Sequence, residues 1–295
     1  MLLKDKNKKR WKYIYESRIN NSFINEEIDK EILLLYWFGF ALKEKKIIQS
    51  KQTYLEFHKK KDIYEIFKIL IEESKNLNLN LKIKDKINIL NRIKSYYNSS
   101  YIILKFIEKK FSNPNLIDFG SGCGIINYVY KKNNFKIKSV YSCDIIEFCK
   151  LSFKKLNKYY DKYLFDDEIY NSSNYQNDSI FLFRWSYDEM LESDKFKVLN
   201  LLRNTNPKGI IISGQKHSDK KYDIDLFCLL NNYELIQFNS SYPLNHGPTR
   251  VYKYSKNKLS FKKKIFFHFI KFIGNFSINI KKNLLYVYFT LSDKI

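Results

Sequence analysis

Three glycines stand at alternate positions in the middle of the chain, at Gly120, Gly122 and Gly124. The chain has 295 residues and only eight glycines, so composition alone does not account for this cluster. The run 115–119 before it begins apolar, which predicts a buried parallel strand, and the run 125–130 after it predicts a helix. Glycine permits a sharp turn, and because it has no Cβ it lets a ligand approach the main chain. A strand, a glycine turn and a helix in this order predict a nucleotide-binding site.

The spacing of the glycines indicates which nucleotide. A dinucleotide fingerprint, Gly-x-Gly-x-x-Gly, would need a glycine where the chain has Ile125. Instead Asp118 stands two residues before Gly120, which gives acidic-x-Gly-x-Gly-x-Gly. This pattern resembles motif I of the class I S-adenosylmethionine (SAM)-dependent methyltransferases. The resemblance implies that the turn, including Ser121 and Cys123, lies beneath the methionine part of SAM, with Asp118 near its amino group.

A second feature has the separation that a nucleotide site requires. Asp144 ends the next predicted strand, 20 residues after Gly124. An acidic residue at about this distance binds the ribose hydroxyls of a nucleotide. Asp144, followed by Ile145, is therefore predicted to contact the cofactor. The alternative is a glycine turn without a ligand.

The rest of the middle region predicts alternating strands and helices. We expect a Rossmann-like α/β sheet of the class I methyltransferase type, mostly parallel, with a closing antiparallel hairpin. The resemblance covers about 115–255. The predicted strands are 115–119, 139–143, 163–165, 179–184 and 210–213, followed by the antiparallel pair 233–238 and 250–254.

Two flanking regions extend this predicted SAM-binding domain, which occupies 111–255. Residues 1–110 read as helices, with helical apolar spacing at 63–71 and 101–107. We interpret this region as a helical cap, a kind of addition that in class I methyltransferases often shapes the acceptor pocket. Residues 256–295 form a basic, aromatic C-terminal segment.

The formal net charge of +22 is concentrated in the flanks. Residues 115–255 carry 19 Lys and Arg against 16 Asp and Glu, whereas 1–114 carry 25 against 14 and 256–295 carry 9 against 1. Basic flanks suit nucleic-acid binding, but a Lys- and Asn-rich composition typical of an AT-rich genome explains the N-terminal excess equally. In the C-terminal segment, Lys and Phe interleave over 261–274. This pattern fits either a helix packed on the core or peripheral contact with a membrane interface.

The sequence also predicts a cytoplasmic location, at the inner face of the membrane if the C-terminal segment binds there. The four cysteines show neither a Cys-x-x-Cys pair nor a metal-ligand spacing, which favours buried thiols in a reducing compartment. No apolar stretch follows the first charges, so we expect no signal peptide. The apolar run 32–42 is too short to span a bilayer.

Ligands of open α/β sheets bind outside the carboxyl ends of the strands, and this rule selects further candidates. Asp166 or Asp167, after the third strand, is predicted to face the adenine, with a solvated surface pair as the alternative. Arg184 ends the fourth strand and is grouped with the cofactor-binding residues. Trp185 and Tyr187 follow it and are predicted to wall the acceptor site, with ordinary packing as the alternative.

Methylation of a hydroxyl needs a nearby base, and histidine titrates closest to neutral pH. His217 follows the fifth strand and His246 lies in the last hairpin loop, so both fall at the predicted active edge. At least one is predicted to act at the site, with a loop-bracing role as the alternative. Glu189 and Asp188 are the carboxylate candidates.

The segment at the end of the fourth strand, 184–187, indicates which class of methyl acceptor the protein uses. It lacks the acidic-or-Asn-Pro-Pro-aromatic motif of amino-methylating DNA enzymes, and no cysteine follows to serve as a cytosine-C5 nucleophile. Together with the helical front half, Ser186, Glu189 and Met190 are similar to the pattern of sugar O-methyltransferases from bacterial surface-polysaccharide clusters. We therefore expect O-methylation of a sugar or another small molecule. An RNA methyltransferase that uses the basic flanks, and a catalytically silent binding subunit, remain the alternatives.

Overall fold

The structure is a computed structural model of the chain. It describes residues 60–76, 81–144, 153–157, 162–184, 186–213, 221–239, 249–257 and 259–292.

A seven-stranded sheet forms the centre of the described fold, in the order β3-β2-β1-β4-β5-β7-β6. Neighbouring strands are parallel except at β7, which pairs antiparallel with both β5 and β6. This is the strand order of the class I methyltransferase sheet, so the predicted fold class and closing hairpin are confirmed. The strands are β1 (Asn115–Phe119), β2 (Ser139–Asp144), β3 (Tyr163–Phe165), β4 (Ser179–Arg184), β5 (Gly209–Ser213), β6 (Tyr233–Asn239) and β7 (Thr249–Tyr254).

Helices cover both faces of this sheet, which is why the central strands are apolar on both sides. Two short 3-10 helices, Asp166–Tyr170 and Ser172–Asn174, follow β3. The described α-helices are α1 (Lys60–Asn76), α2 (Ile83–Lys110), α3 (Ile125–Lys132), α4 (Ser186–Glu189), α5 (Glu192–Thr205), α6 (Ile224–Leu230), α7 (Phe261–Phe276) and α8 (Ile278–Ser292).

Two apolar cores lie on opposite faces of the sheet. Successive residues of a strand point to opposite faces, so Leu116 of β1 enters one core and Ile117 enters the other. The first core includes buried residues of α1, α2 and α3, and the second includes buried residues of α5, α6, α7 and α8. The described part of the predicted helical cap is therefore a layer of the sheet domain, and the boundary at 110 separates no second core. Residues 1–59 lie outside the described residues.

The two C-terminal helices also belong to the fold. Phe267 and Ile270 of α7 and Leu285 and Phe289 of α8 are fully buried in the second core. No helix among the described residues is both long and apolar enough to cross a membrane.

The chain reverses its direction of progress across the sheet between β1 and β4. From β1 the chain builds outward through β2 and β3, and β4 then lies on the other side of β1. Ligands of open α/β sheets bind at this kind of switch point. Because Phe119 is in register with Phe183, the glycine turn after β1 begins beside Arg184 at the end of β4.

Candidate functional site at the glycine turn

The backbone of the glycine turn is held by the end of β2. The amides of Gly120 and Ser121 both donate to the carbonyl oxygen of Cys143, at 2.8 and 3.1 Å. The Gly122 amide donates to Oδ2 of Asp144 at 2.9 Å, and the Gly124 amide donates to the Ser121 carbonyl at 3.2 Å. The turn and Asp144 therefore form one hydrogen-bonded unit.

Four amides of the turn are not available to a phosphate. A phosphate-binding loop presents free backbone N–H groups to the anion. Here the amides of Gly120, Ser121, Gly122 and Gly124 all have protein acceptors, and one of these acceptors is the carboxylate of Asp144. A negative charge at the rim of the turn repels a phosphate and favours a cationic or hydroxyl-bearing ligand. The geometry agrees with the spacing argument against a dinucleotide.

All three glycines adopt the left-handed conformation, with φ of 69° at Gly120, 57° at Gly122 and 73° at Gly124. Their surroundings differ. A Cβ at Gly120 would lie 2.4 Å from the Cβ of Ser186, and one at Gly124 would lie 2.3 Å from a ring carbon of Phe153. A Cβ at Gly122 would meet no described atom within 4 Å. The outer two glycines therefore permit packing, whereas Gly122 leaves its backbone open to a ligand.

Asp118, the acidic residue of the motif, is fully buried and paired with Arg184. Nε and Nη2 of Arg184 donate to Oδ1 and Oδ2 of Asp118, at 3.2 and 2.5 Å. Burial raises the pKa of the Asp118 carboxyl, and the Arg184 guanidinium opposes that rise. Nη1 of Arg184 donates to the Ser100 hydroxyl at 3.2 Å, which ties α2 to the same point. Both predicted cofactor residues thus lie at the switch point, where they bind each other.

Two hydroxyl groups near the turn are buried without a hydrogen-bond partner among the described residues. They are Oγ of Ser121 and Oγ of Ser186. Oγ of Ser186 would lie 3.2 Å from a Cβ placed on Gly120, so α4 begins directly over the turn. A buried hydroxyl without a partner costs free energy unless a ligand or water supplies one. Both hydroxyls are therefore candidate ligand contacts, and Ser186 was not among the predicted site residues.

Cys123 packs inside the turn and is almost fully buried. Burial raises the pKa of its thiol to about 12, and the nearby Asp144 charge adds to the rise. A thiol that stays protonated at neutral pH is a poor nucleophile. Cys123 thus contributes packing to the predicted cofactor site.

Tyr187 lies in the core and does not wall an open site. Its side chain is 1% exposed, and its hydroxyl donates to the backbone carbonyl of Tyr222 at 2.8 Å. Its position matches the alternative given for Tyr187 from the sequence, which was ordinary packing. Trp185, its predicted partner, lies outside the described residues.

The structure places the backbone of two further candidates at the expected edge of the sheet. Asp166 begins the 3-10 helix after β3, and Glu189 ends α4 after β4. The structure does not describe the side chains of these two residues or of Asp188, so their roles remain predictions. Ile145 is likewise outside the described residues.

His217 and His246 also lie outside the described residues, but the anchors of their loops are defined. Ser213, the last residue of β5, is in register with Thr249, the first residue of β7. Their hydroxyl oxygens lie 2.9 Å apart. The fold therefore brings the starting points of the two histidine loops together at the carboxyl edge of the parallel strands.

Sequence reasoning missed a buried polar network next to this junction. Arg250 is fully buried, and its Nε and Nη2 donate to Oδ1 and Oδ2 of Asp225, at 2.7 and 3.1 Å. The Tyr252 hydroxyl donates to Oδ1 of Asp225 at 2.7 Å. This network fixes α6 against β7. Because it joins residues 25 or more positions apart in the chain, no local sequence pattern predicts it.

The chain was compared with protein-family models, curated proteins and solved structures. Neither a family model nor a curated protein matches the chain. Among solved structures, TrmK of M. capricolum in complex with S-adenosyl-homocysteine is 18% identical, with a TM-score of 0.36, and the match covers 55% of this chain and 73% of that one.

Two further solved structures match over a larger part of the chain. Magnesium protoporphyrin IX methyltransferase of Synechocystis PCC 6803, with bound SAM, is 11% identical with a TM-score of 0.40, over 66% of this chain and 97% of that one. The 16S rRNA methylase ArmA is 12% identical with a TM-score of 0.42, over 64% and 98%. At these identities the likeness concerns the fold alone. The strand order and the glycine turn define the chain as a class I methyltransferase fold.

Proposed function

We propose that this protein is a SAM-dependent methyltransferase that methylates a hydroxyl group of a sugar or another small molecule. The observation that carries the proposal is the hydrogen bond that the Gly122 amide donates to the Asp144 carboxylate at the switch point of the sheet. It places a carboxylate beside an open stretch of backbone, and the amides of Gly120, Ser121, Gly122 and Gly124 are already occupied by protein acceptors. SAM carries a sulfonium and an ammonium group and no phosphate, so its charge suits this site.

The residues present fit SAM. Asp144 places a carboxylate, the acceptor that ribose hydroxyls need, directly beside the Gly122 amide. The open side of Gly122 leaves room for the cofactor, and the unpartnered hydroxyls of Ser121 and Ser186 are available to its polar groups. When bound, SAM supplies an electrophilic methyl group on a sulfonium. The protein's contribution is to align donor and acceptor and to exclude water.

The base for the acceptor hydroxyl is proposed to come from the histidine loops. Removing the hydroxyl proton makes the oxygen a better nucleophile, and an imidazole accepts that proton near neutral pH. His217 and His246 are assigned this role because the loops that carry them start from the paired residues Ser213 and Thr249. Glu189, at the end of α4, is the carboxylate alternative.

Calorimetric titration of S-adenosylhomocysteine into the purified protein tests the cofactor site. We expect micromolar binding to the wild type and at least a tenfold loss in Asp144→Ala, because the ribose loses its acceptor. Glu234→Ala, which removes an exposed carboxylate on β6, is the matched control and should bind as the wild type does. Undiminished binding to Asp144→Ala would contradict the assignment.

The acceptor is then found by measuring S-adenosylhomocysteine release with nucleotide sugars, glycans and RNA. Turnover with a sugar supports the proposal. Turnover with RNA alone, together with steeply salt-dependent RNA binding, would replace it with the RNA methyltransferase alternative, because neutralised phosphates release counterions.

A further inference from the structure

The C-terminal helix α7 has two apolar faces. Phe267, Ile270 and Gly274 form the inner face and are buried against the sheet domain. The outer face bears a second apolar stripe, which at 100° per residue spans an arc of about 80° on the opposite side of the helix. The residues of this outer stripe are Phe261, Ile265, Phe269, Phe272 and Phe276.

The inner face fixes the hairpin of α7 and α8 to the domain. Nζ of Lys281, which is 1% exposed, lies 2.8 Å from Oδ2 of Asp223 at the start of α6. The stem of Lys281 packs on Gly274, where a Cβ would come within 2.3 Å of it. The rings of Phe289 and Phe238 lie 5.5 Å apart between α8 and β6. The outer stripe is therefore held on a docked element in a fixed orientation.

The outer stripe is exposed to an unusual degree. Phe269, Phe272 and Phe276 are 55%, 60% and 76% exposed. On α8, Ile280, Val287 and Leu291 are also exposed, at helical spacing. An exposed apolar stripe on a docked helix marks an interaction site, because each such side chain would lose contact with water on binding.

Charge identifies the partner. Residues 261–292 contain six lysines and no acidic residue. Lys281 is buried in its pair with Asp223, whereas Lys262, Lys263 and Lys264 lie in the first turn of α7. Pairing with a second copy of the same face would bring lysines together. A nucleic acid would neutralise the lysines, but it offers no apolar environment to Ile265 or to the aliphatic side chains of α8. An anionic lipid surface satisfies both groups, since it has negative headgroups above an apolar interior.

We propose that the hairpin of α7 and α8 binds an anionic lipid surface, with its outer stripe entering the interface and its lysines other than Lys281 contacting the headgroups. At 16 residues, α7 is about 24 Å long, and it would lie in the plane of the interface. The inference is independent of the proposed function, because lipid binding requires neither SAM nor an acceptor.

Vesicle co-sedimentation of the full chain tests this inference. Vesicles of phosphatidylcholine and phosphatidylglycerol in equal parts should bind the protein, and vesicles of phosphatidylcholine alone should bind it at least about tenfold more weakly. The double variant Phe269→Ser with Phe272→Ser should lose about tenfold or more in binding to the anionic vesicles. Because both side chains are exposed, this variant should keep the circular dichroism and melting temperature of the wild type.

Phe196 offers a matched control. It is 51% exposed but lies on α5 and is not part of the outer stripe, so Phe196→Ser should bind vesicles as the wild type does. Equal binding of the wild type and the double variant would overturn the proposal, as would absence of binding to anionic vesicles. A wild-type dimer in solution that the double variant converts to a monomer would instead assign the stripe to a second copy of the chain.

Discussion

The hydroxyl oxygens of Ser213 and Thr249 lie 2.9 Å apart, and both residues are buried. Ser213 ends β5 and Thr249 begins β7, so two loops leave the sheet from one point. His217 follows Ser213 by four residues and His246 precedes Thr249 by three. Since an extended chain spans at most about 3.5 Å per residue, we expect both histidines near this junction.

This junction predicts that one of the two histidines is the base. His217→Ala or His246→Ala should lower kcat by about 10²- to 10⁴-fold, the usual contribution of a general base. The dissociation constant for S-adenosylhomocysteine should stay within about twofold of the wild type, because the proposed cofactor site is at the glycine turn. Full turnover in both variants would remove the histidines from the mechanism and leave Glu189 to be tested in the same way.

The three glycines should respond differently to alanine. Gly120→Ala and Gly124→Ala place a Cβ within 2.4 Å of Ser186 and Phe153, so both should unfold at markedly lower urea concentrations. Gly122→Ala meets no described atom and should cost only about 1–2 kcal/mol for its left-handed backbone. That variant should stay folded and bind S-adenosylhomocysteine more weakly, because the new methyl group occupies the open side of the turn. Wild-type affinity in folded Gly122→Ala would show that the cofactor does not approach there.

The buried pair of Asp118 and Arg184 predicts a stability effect that depends on pH. Arg184→Ala leaves a fully buried carboxylate without its partner, which should lower the free energy of unfolding by about 3–5 kcal/mol near neutral pH. Burial then acts unopposed and raises the pKa of Asp118 above its unfolded value. The folded state of the variant therefore binds the proton more tightly, so its deficit relative to the wild type should shrink as the pH falls.

Urea unfolding at pH 5 and pH 8 measures this dependence. As a control, Asp118→Leu combined with Arg184→Met should recover most of the lost stability, because it removes both charges together. A deficit in Arg184→Ala that is the same at both pH values would mean that Asp118 does not carry the effect.

The sequence predicted the strands well because each is a short, buried run. The apolar pattern of such a run does not depend on which elements pack against it. The strand 115–119 was predicted with its observed bounds, and the closing pair of β6 and β7 was predicted to within one residue at each end. The sequence also placed Asp118 and Arg184 near the ends of strands. It could not show that they bind each other, because that contact depends on β1 and β4 being neighbours.

Other features depend on packing that no local pattern records. Ser100 lies in the middle of α2, and only the position of that helix brings its hydroxyl to Arg184. The alternation of Lys and Phe in α7 left two hypotheses, membrane contact or core packing. The structure shows that the core packs on one face of the helix, around Phe267, whereas the other face is exposed.

The thiols of the chain provide a test of the packing around the turn. Cys123, Cys143 and Cys228 are buried, and burial raises the pKa of Cys123 to about 12. An exposed thiol with a pKa near 8.5 is mostly thiolate at pH 9, and the thiolate is the species that reacts. Native protein treated with iodoacetamide at pH 9 should therefore be alkylated at Cys123 at least about a hundredfold more slowly than protein in guanidinium, as read by mass spectrometry. If Cys123 reacted at the same rate in both conditions, the turn would be open in solution and the closed packing of the cofactor site would be wrong.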